Sequence, residues 1–469
     1  MDQMGTKSKS SSPFHIAMYP WFAFGHLGPF IQLSNKLAER GHKISFFLPT
    51  TALPKLQSFN LHPNLIQFFP LKVPHVEGLP PGAETTADVP FNLQPLIMTA
   101  MDLTEPELKS TLHDLKPDMI FFDFTYWVPS MASQLDIKSV LYCCTSAATI
   151  AYLLAPASSK QDDGGELSSE DLMHPPPDFP PSSSMKLHLH EARVLSFITY
   201  REYGCGVSFS ERITLGLRGC DAISFRTSRE TEGMYCEYIE KKYGKPVMLS
   251  GPILPEPPSV GLDEKWAKWL DQFKPKSVIF CSFGSECFMK KDQYQELLLG
   301  FELTGMPFLV ALKPPAGAET TQEALPEGFE ERVSGRGVVE GGWVQQQLIL
   351  GHPSVGCFLT HCGLGSMTES LVNDAQLVLL PYSGDQFVHA RLMSGDLKIG
   401  LEVERREEDG WFTKESVSEA VKMVMDEDNK VGKEVRENRL KLKKVFQGER
   451  FESDYLDEFV VKLQALIRP

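Results

Sequence analysis

The sequence lacks most features that mark membrane-bound, secreted or disulfide-stabilised proteins. It has no run of about 18 apolar residues, so no segment is predicted to span a bilayer. Residues 1–13 are polar and rich in Ser and Lys, without the apolar core of a signal peptide. The nine cysteines do not have the spacing of zinc ligands and are predicted to be reduced. We therefore expect a cytoplasmic protein.

Other absences narrow the class of function. The formal net charge is -15 and no run of Lys and Arg occurs, which argues against nucleic-acid binding. No Gly-x-Gly-x-x-Gly follows the first predicted strand, which argues against a dinucleotide-dependent oxidoreductase. No carboxylate cluster resembles a Mg²⁺ or Mn²⁺ site, and the alternating His188 and His190 are predicted to be exposed rather than metal-bound. No metal is expected.

What the sequence does contain is an alternation of apolar runs with helical periodicity, which predicts an α/β fold. Buried strands are predicted at 15–19, 43–48, 119–122, 139–144, 277–280 and 307–311. A loop is predicted through Pro29, followed by a helix at 30–40, and further helices at 293–304 and within 414–466. At 469 residues the chain is too long for one core, which predicts two domains.

The segment from Trp343 to Gln386 has the composition of a nucleotide-sugar site. The Trp343 indole could stack on a base, an interaction worth roughly 1 to 3 kcal/mol. The turn from His361 to Ser366 precedes a predicted helix at 367–373, so backbone N–H groups could face a phosphate. Glu369 could accept hydrogen bonds from ribose hydroxyls, and the acid-amide pair that ends the segment could bond sugar hydroxyls.

In this segment the sequence resembles the plant secondary product signature of family 1 glycosyltransferases, which likewise runs 44 positions from Trp to Gln. The resemblance covers nearly the whole chain, from the pair Gly25-His26 to the C-terminal helices. It implies GT-B architecture, with two Rossmann-like domains facing a cleft. It also implies a UDP-sugar as co-substrate, with no resident cofactor.

The resemblance assigns the donor contacts to particular residues. Trp343 would stack on uracil, Gln346 and Glu369 would hold the ribose, and His361 and Ser366 would hold the diphosphate. Thr145 matches a position near the donor sugar, although a Thr that caps the following helix explains it equally well. The remaining donor-binding candidates are Ser285 as a second phosphate contact, and Val344, Gly363, Gly365, Asp385 and Gln386.

A catalytic base is needed because an acceptor hydroxyl is a poor nucleophile at neutral pH, and His has a suitable pKa. His26 lies in the loop predicted after the first strand, at the edge of the sheet where ligands bind. The resemblance identifies His26 as the base and Asp123, directly after the strand 119–122, as its acidic partner. Asp118 precedes that strand at its other end and is the weaker choice.

A Pro-rich passage between the two series of strands and helices suggests the domain boundaries. Residues 1–250, with a disordered tail at 1–13, are predicted to form the acceptor-binding domain, and 251–259 the linker. Residues 260–450 are predicted to form the UDP-sugar-binding domain, and 451–469 a helix that packs back towards the first domain. The segment 158–184, rich in Ser, Asp and Pro, is predicted to be a flexible surface loop. A monomer is the default expectation.

Five positions depart from the commonest form of the signature: Gln345 for Pro, Leu364 for Trp, Gly365 for Asn, Asp374 for Gly and Gln376 for Pro. Similar turns occur in the branch that adds a sugar to a flavonoid or phenolic glycoside. We therefore predict inverting transfer to a sugar hydroxyl of such a glycoside. Transfer to an aglycone is the alternative, and a nucleotide-sugar binder without turnover is a distant one. Glucose, rhamnose and xylose all remain open as the donor sugar.

Overall fold

The computed structural model of the chain describes residues 13–153, 168–254, 260–284, 287 and 289–467. These residues form two compact units, each with its own parallel sheet. The first unit comprises the described residues within 1–147, 199–253 and 452–469, and the second those within 148–198 and 254–451. The described residues 148–153 and 168–198 therefore group with the second unit, whereas the sequence pattern places them in the first.

The first sheet has seven strands in the order β3-β2-β1-β4-β5-β6-β7. Their bounds are β1 His15–Tyr19, β2 Lys43–Pro49, β3 Ile66–Leu71, β4 Met119–Phe122, β5 Lys138–Cys143, β6 Ala222–Phe225 and β7 Val247–Leu249. The strand order reverses between β1 and β4, which pair from Ile16↔Met119 to Tyr19↔Phe122. Ligands of open parallel sheets bind where such a reversal opens the carboxyl edge.

The second sheet has six strands in the order β10-β9-β8-β11-β12-β13. Their bounds are β8 Val278–Ser282, β9 Phe308–Ala311, β10 Gly337–Glu340, β11 Val355–Thr360, β12 Gln376–Leu379 and β13 Gly400–Glu402. Alternate residues of β8 enter two apolar clusters, with Ile279 in one and Phe280 in the other. Helices therefore cover both faces, as a parallel sheet requires. The strand order reverses between β8 and β11.

The α-helices flank these sheets. Their bounds in the first half of the chain are Phe24–Ala38, Leu53–Leu56, Gln94–Asp102, Glu105–Leu115, Val128–Gln134, Ala147–Leu153, Ser169–Leu172, Leu189–Tyr200, Phe209–Gly219 and Arg229–Tyr243. In the second half they are Glu264–Leu270, Lys291–Thr304, Phe329–Arg332, Gln346–Leu350, Leu364–Leu371, Gln386–Arg391, Lys414–Met425, Lys430–Phe446 and Phe451–Ile467. No helix of the described residues is long and apolar enough to cross a membrane.

The last helix, Phe451–Ile467, completes the core of the first unit. Phe459 is fully buried and its ring centroid lies 6.2 Å from that of Phe121 on β4. The Tyr455 hydroxyl accepts a hydrogen bond from the Arg229 backbone N–H at 2.7 Å. A side chain at Gly251 (φ +78°) would lie 2.9 Å from Tyr455, so this position requires glycine. The buried residues Leu456, Phe459, Val460 and Leu463 of the last helix thus pack in the core of the first unit.

The predicted loop through Pro29 is wrong, because the first helix already begins at Phe24. Pro29 lies inside that helix and removes one backbone donor, and Gly25 and Gly28 weaken the helical pattern further. His26 is therefore a residue of the first helical turn. Similarly, the helix predicted at 367–373 begins at Leu364, so Ser366 lies in its first turn.

The segment predicted to be a flexible loop lies partly outside the described residues, at 158–167. Its described part is packed rather than free, since Leu172 and Phe179 are buried and the Ser184 N–H donates to Asp396 at 2.7 Å. The expectation that His188 and His190 are exposed is also wrong. Both are partly buried, with ring centroids 5.7 Å apart.

Candidate active site

In the first unit, His26 and Asp123 are brought together by the pairing of β1 with β4. The first helix follows β1 and carries His26, whereas Asp123 comes directly after β4. The distance from His26 Nδ1 to Asp123 Oδ2 is 2.6 Å. Asp123 is 4 % exposed and its other oxygen, Oδ1, accepts from the Trp21 and Phe124 backbone N–H groups at 2.7 and 2.8 Å.

This arrangement fixes the tautomer of His26. A carboxylate oxygen only accepts, so Nδ1 carries the hydrogen and the neutral ring has its lone pair on Nε2. The ring is 23 % exposed and contacts Phe124 edge to face, with centroids 5.3 Å apart. A partly exposed His with an oriented, unprotonated nitrogen can act as a general base. Asp118 lies at the opposite edge, where it accepts from the His15 N–H at 2.7 Å.

Two further residues, Cys144 and Thr145, directly follow β5. A ligand atom of Cys144 lies within 4.8 Å of those of His26 and Asp123, the group in the described part of the chain that could hold a metal ion. Burial raises the Cys144 pKa well above its usual value, so the thiol is not ionised at neutral pH. Thr145 follows β5 at the same carboxyl edge, two residues before the helix Ala147–Leu153. All nine cysteines are free.

In the second unit, the predicted base and ribose contacts form a connected set. The Trp343 side chain is 86 % exposed and open to stacking, whereas the adjacent Val344 is buried. The Gln346 Nε2 donates to Glu369 Oε2 at 2.7 Å and lies 3.1 Å from Ser366 Oγ. The residues predicted to hold the ribose and one phosphate are therefore already linked to one another.

The phosphate turn follows β11 and leads into the helix Leu364–Leu371, whose N-cap is Gly363. Burial lowers the pKa of His361 to about 4, so the ring is neutral at pH 7 and can serve only as a neutral donor or acceptor. A side chain at Gly363 would lie 2.5 Å from His361 Nε2, whereas one at Gly365 would meet nothing within 4 Å. Ser285, the other predicted phosphate contact, lies outside the described residues.

The predicted sugar contacts Asp385 and Gln386 lie where the short loop after β12 leads into the helix Gln386–Arg391, Asp385 as its N-cap and Gln386 as its first residue. Asp385 is 40 % exposed. The Gln386 Oε1 accepts from the Tyr382 and Ser383 backbone N–H groups, both at 3.0 Å. Its carbonyl end therefore shapes the loop, and its Nε2 amide is the group that can donate to a sugar hydroxyl.

Several residues that support this loop were not found from the sequence. Glu191 is fully buried and accepts from Arg391 at 2.9 Å and from Arg405. Arg405 also donates to the Pro381 carbonyl at 3.3 Å, at the start of the sugar loop. Nothing in the local sequence marks Glu191, because a Glu on a helix is usually exposed. Its role appears only when a segment 200 residues away folds against it.

Two departures from the signature have structural roles. The Gln345 Oε1 accepts from the Asp263 N–H at 2.6 Å and its Nε2 donates to the Gly261 carbonyl at 3.1 Å. Asp374 pairs with Lys443 at 2.5 Å, and this hydrogen bond lowers the pKa of the Asp374 carboxyl. The structure gives no explanation for the departures at Leu364 and Gly365.

Comparison with known proteins identifies the family of the chain. The sequence model of the family described as "UDP-glucoronosyl and UDP-glucosyl transferase" matches residues 331–459. A cyanidin 3-O-galactoside 2''-O-xylosyltransferase of Actinidia chinensis var. chinensis is 57 % identical over 97 % of this chain and 99 % of its own. An anthocyanidin 3-O-glucoside 2''-O-glucosyltransferase of Ipomoea nil is 51 % identical over 97 % of this chain and 99 % of its own.

The fold is shared with solved structures. A Phytolacca americana enzyme, UGT2, complexed with UDP-2fluoro-glucose and pterostilbene, has a TM-score of 0.76 at 24 % identity, covering 97 % of this chain and all of the other. Two parallel sheets of Rossmann type, one in each unit, correspond to the predicted GT-B class.

Proposed function

The chain belongs to the family of UDP-glycosyltransferases, and from that premise we propose that it transfers a sugar to a sugar hydroxyl of a flavonoid or phenolic glycoside. The observation that carries this proposal is the identity of 57 % and 51 %, over 97 % of the chain, with two enzymes named for 2''-O-transfer to anthocyanidin glycosides.

The donor is held by the second unit in this proposal. Exposed Trp343 stacks on the uracil, and the linked pair Gln346 and Glu369 receives the ribose hydroxyls. The N-terminus of the helix Leu364–Leu371, with Ser366 in its first turn and His361 before it, receives the diphosphate. Asp385 and the Gln386 amide receive the sugar. Val344, Gly363, Gly365, Thr145 and Ser285 complete the proposed donor set.

The first unit supplies the base. His26 Nε2 removes the proton of the acceptor hydroxyl, and Asp123 stabilises the imidazolium that forms. The hydroxyl oxygen attacks the anomeric carbon as the bond to UDP breaks, so the configuration at that carbon inverts. The helix N-terminus stabilises the negative charge that develops on the leaving UDP.

The proposal includes no metal in this step. Asp123 accepts three hydrogen bonds, one from His26 and two from backbone amides. These partners explain the position of Asp123 beside His26 without a metal ion. We further propose that the protein acts as a cytoplasmic monomer.

The alternative acceptor is an aglycone. The departures Leu364 and Gly365 favour a glycoside acceptor, because similar turns occur in the branch of the family that extends glycosides. The donor sugar stays open among glucose, rhamnose and xylose. A nucleotide-sugar binder without turnover is the distant alternative, and the His26–Asp123 pair argues against it.

The test is a UDP-release assay with four donors (UDP-glucose, UDP-rhamnose, UDP-xylose and UDP-galactose), each with flavonoid aglycones and with their monoglucosides. Release only with glycosides supports the proposal and names the donor. Release with aglycones alone would replace it by the alternative. Activity should survive EDTA, and a loss that Mn²⁺ restores would contradict the metal-free step.

A further inference from the structure

His389 lies on the helix Gln386–Arg391, one turn after Asp385 and beyond the last predicted donor contact. It is 2 % exposed, whereas the Asp385 side chain is 40 % exposed. A sugar can therefore reach Asp385 from solvent, but it cannot reach His389. Any influence of His389 on the donor must pass through the groups that its ring contacts.

One ring nitrogen holds the phosphate turn. His389 Nδ1 lies 2.9 Å from the carbonyl oxygen of Cys362. Since a carbonyl oxygen only accepts, Nδ1 carries the hydrogen. Cys362 has a φ of 67°, in the left-handed region that residues other than glycine rarely adopt, and it precedes the N-cap Gly363. The hydrogen bond thus fixes an unfavourable residue of the turn that leads to the helix N-terminus.

The other ring nitrogen faces the sugar carboxylate. His389 Nε2 lies 3.7 Å from Asp385 Oδ2. It is buried and has no hydrogen-bond partner among the described residues. With the hydrogen on Nδ1, a neutral ring directs a lone pair at the carboxylate, while a protonated ring attracts it. In either state the ring determines where the carboxylate can sit.

We propose that His389 is a positioning residue that couples the diphosphate turn to the sugar-binding carboxylate and thereby sets the preference among donor sugars. The inference rests on the proposed function, because it takes the turn and Asp385 as the donor contacts. The two ring nitrogens have different partners, so their roles can be separated. An Asn amide can replace Nδ1–H towards Cys362, and a Gln amide reaches the position of Nε2.

The experiment uses the full-length protein with the substitutions His389→Asn and His389→Gln. Calorimetry gives the Kd for UDP, and steady-state assays give kcat and KM for the best donor and its preference over the second best. For His389→Asn we expect UDP affinity within about threefold of the wild type and a donor preference reduced about tenfold, a coupling of the size usual for residues in direct contact. For His389→Gln we expect UDP affinity to weaken about tenfold and the preference to be retained.

His352→Asn is the matched control. His352 lies in the same unit at the amino end of β11, and its Nδ1 lies 2.9 Å from the Ser354 hydroxyl. Both readouts should stay at the wild-type value. A double-mutant cycle adds Asp385→Asn, and His389→Asn should have less than about a twofold further effect on preference in that background, because coupled residues are not additive.

Parallel losses of UDP affinity and of donor preference in both variants, in proportion to the fall in Tm, would overturn the proposal in favour of simple packing. Wild-type values of both quantities in both variants would overturn it as well. If one variant fails to fold, the other still decides, because each has one readout that must hold and one that must change. If the wild type binds UDP but turns over no donor, the proposed function fails, while the UDP arm still tests the link to the turn.

Discussion

The two candidate regions assemble their functional groups from very different lengths of chain. His26 and Asp123 are 97 residues apart in sequence and meet because β1 and β4 are neighbours. In the second unit, Gln346 contacts Ser366 and Glu369 at separations of 20 and 23 residues. The first region depends on sheet topology, whereas the second depends on one strand, one turn and the two short helices that flank them.

This difference predicts how each region responds to change. A dyad on two separate elements has a single contact between its members and no substitute for either. The donor region spreads binding over several linked residues, so the loss of one member leaves part of the affinity. The substitutions below test that contrast.

The largest effect is expected for His26→Ala in the first unit. Removal of the base should lower kcat by about 10² to 10⁴-fold, the usual contribution of general base catalysis. The Kd for UDP, measured by calorimetry, should stay close to the wild-type value because the donor contacts lie in the second unit. His15→Gln is the matched control, since His15 lies at the other end of β1 and bonds Ser45 at 2.8 Å. Retained turnover in His26→Ala would refute the assignment of the base.

The next effect concerns one buried histidine in each unit. Burial lowers the pKa of both His42 and His361 to about 4 from the usual 6.5. As pH falls from 6.5 to 4, the unfolded chain binds protons that the folded chain does not, so stability falls by roughly 3 kcal/mol per residue and then levels off. Above pH 6.5 neither residue contributes to the change of unfolding free energy with pH.

Denaturant unfolding across this pH range checks the prediction. His42→Gln should reduce the change of unfolding free energy with pH for the first unit, and His361→Gln should reduce it for the second. His113→Gln is the control, because the His113 side chain is 70 % exposed. If His42→Gln and His361→Gln both keep the wild-type slope, other groups control the acid response.

Trp343→Ala should have a smaller effect and should act on the donor only. The loss of base stacking should weaken UDP binding by roughly 1 to 3 kcal/mol, with kcat at saturating donor largely retained. Trp411→Ala is the control, since Trp411 is in the same unit but contacts Arg406, with the guanidinium 5.9 Å from the ring. A kcat loss as large as that of His26→Ala would erase the contrast between the two regions.

The smallest effect separates the two glycines of the phosphate turn. Gly365→Asn should tighten UDP binding by about 0.5 to 1.5 kcal/mol, because the site has open space and the amide adds one hydrogen bond. Gly363→Ala should weaken binding instead, because the new Cβ would lie 2.5 Å from His361 Nε2. Calorimetry with UDP measures both, and an equal response of the two positions would contradict the geometry of the turn.

The sequence predicts those parts of the molecule whose signal is local. The apolar runs of β1 and β4 match the observed bounds, because strands buried on both faces leave a continuous apolar pattern. The start of the first helix is missed because Gly25, Gly28 and Pro29 obscure its periodicity. The two-sheet class is therefore predictable, while element ends are not.

The candidate site divides in the same way. The donor contacts can be predicted from one contiguous segment, whereas the pair His26 and Asp123 is identified through the family resemblance. Glu191 and His389 escape because no residue type marks their pairing with Arg405 and Cys362. The grouping of the described residues 148–153 and 168–198 with the second unit is missed for the same reason, since only tertiary contacts reveal it.

The position of the last helix has a consequence for synthesis on the ribosome. Leu456, Phe459 and Leu463 belong to the core that β1, β2 and β4 also line, although residues 254–451 of the second unit precede them in the chain. Domains usually fold as they emerge. Here the first unit can close its core only after the second unit and the last helix have been translated. The nascent chain must therefore hold an open apolar face while the second unit is translated, and chaperones have their longest opportunity to bind there.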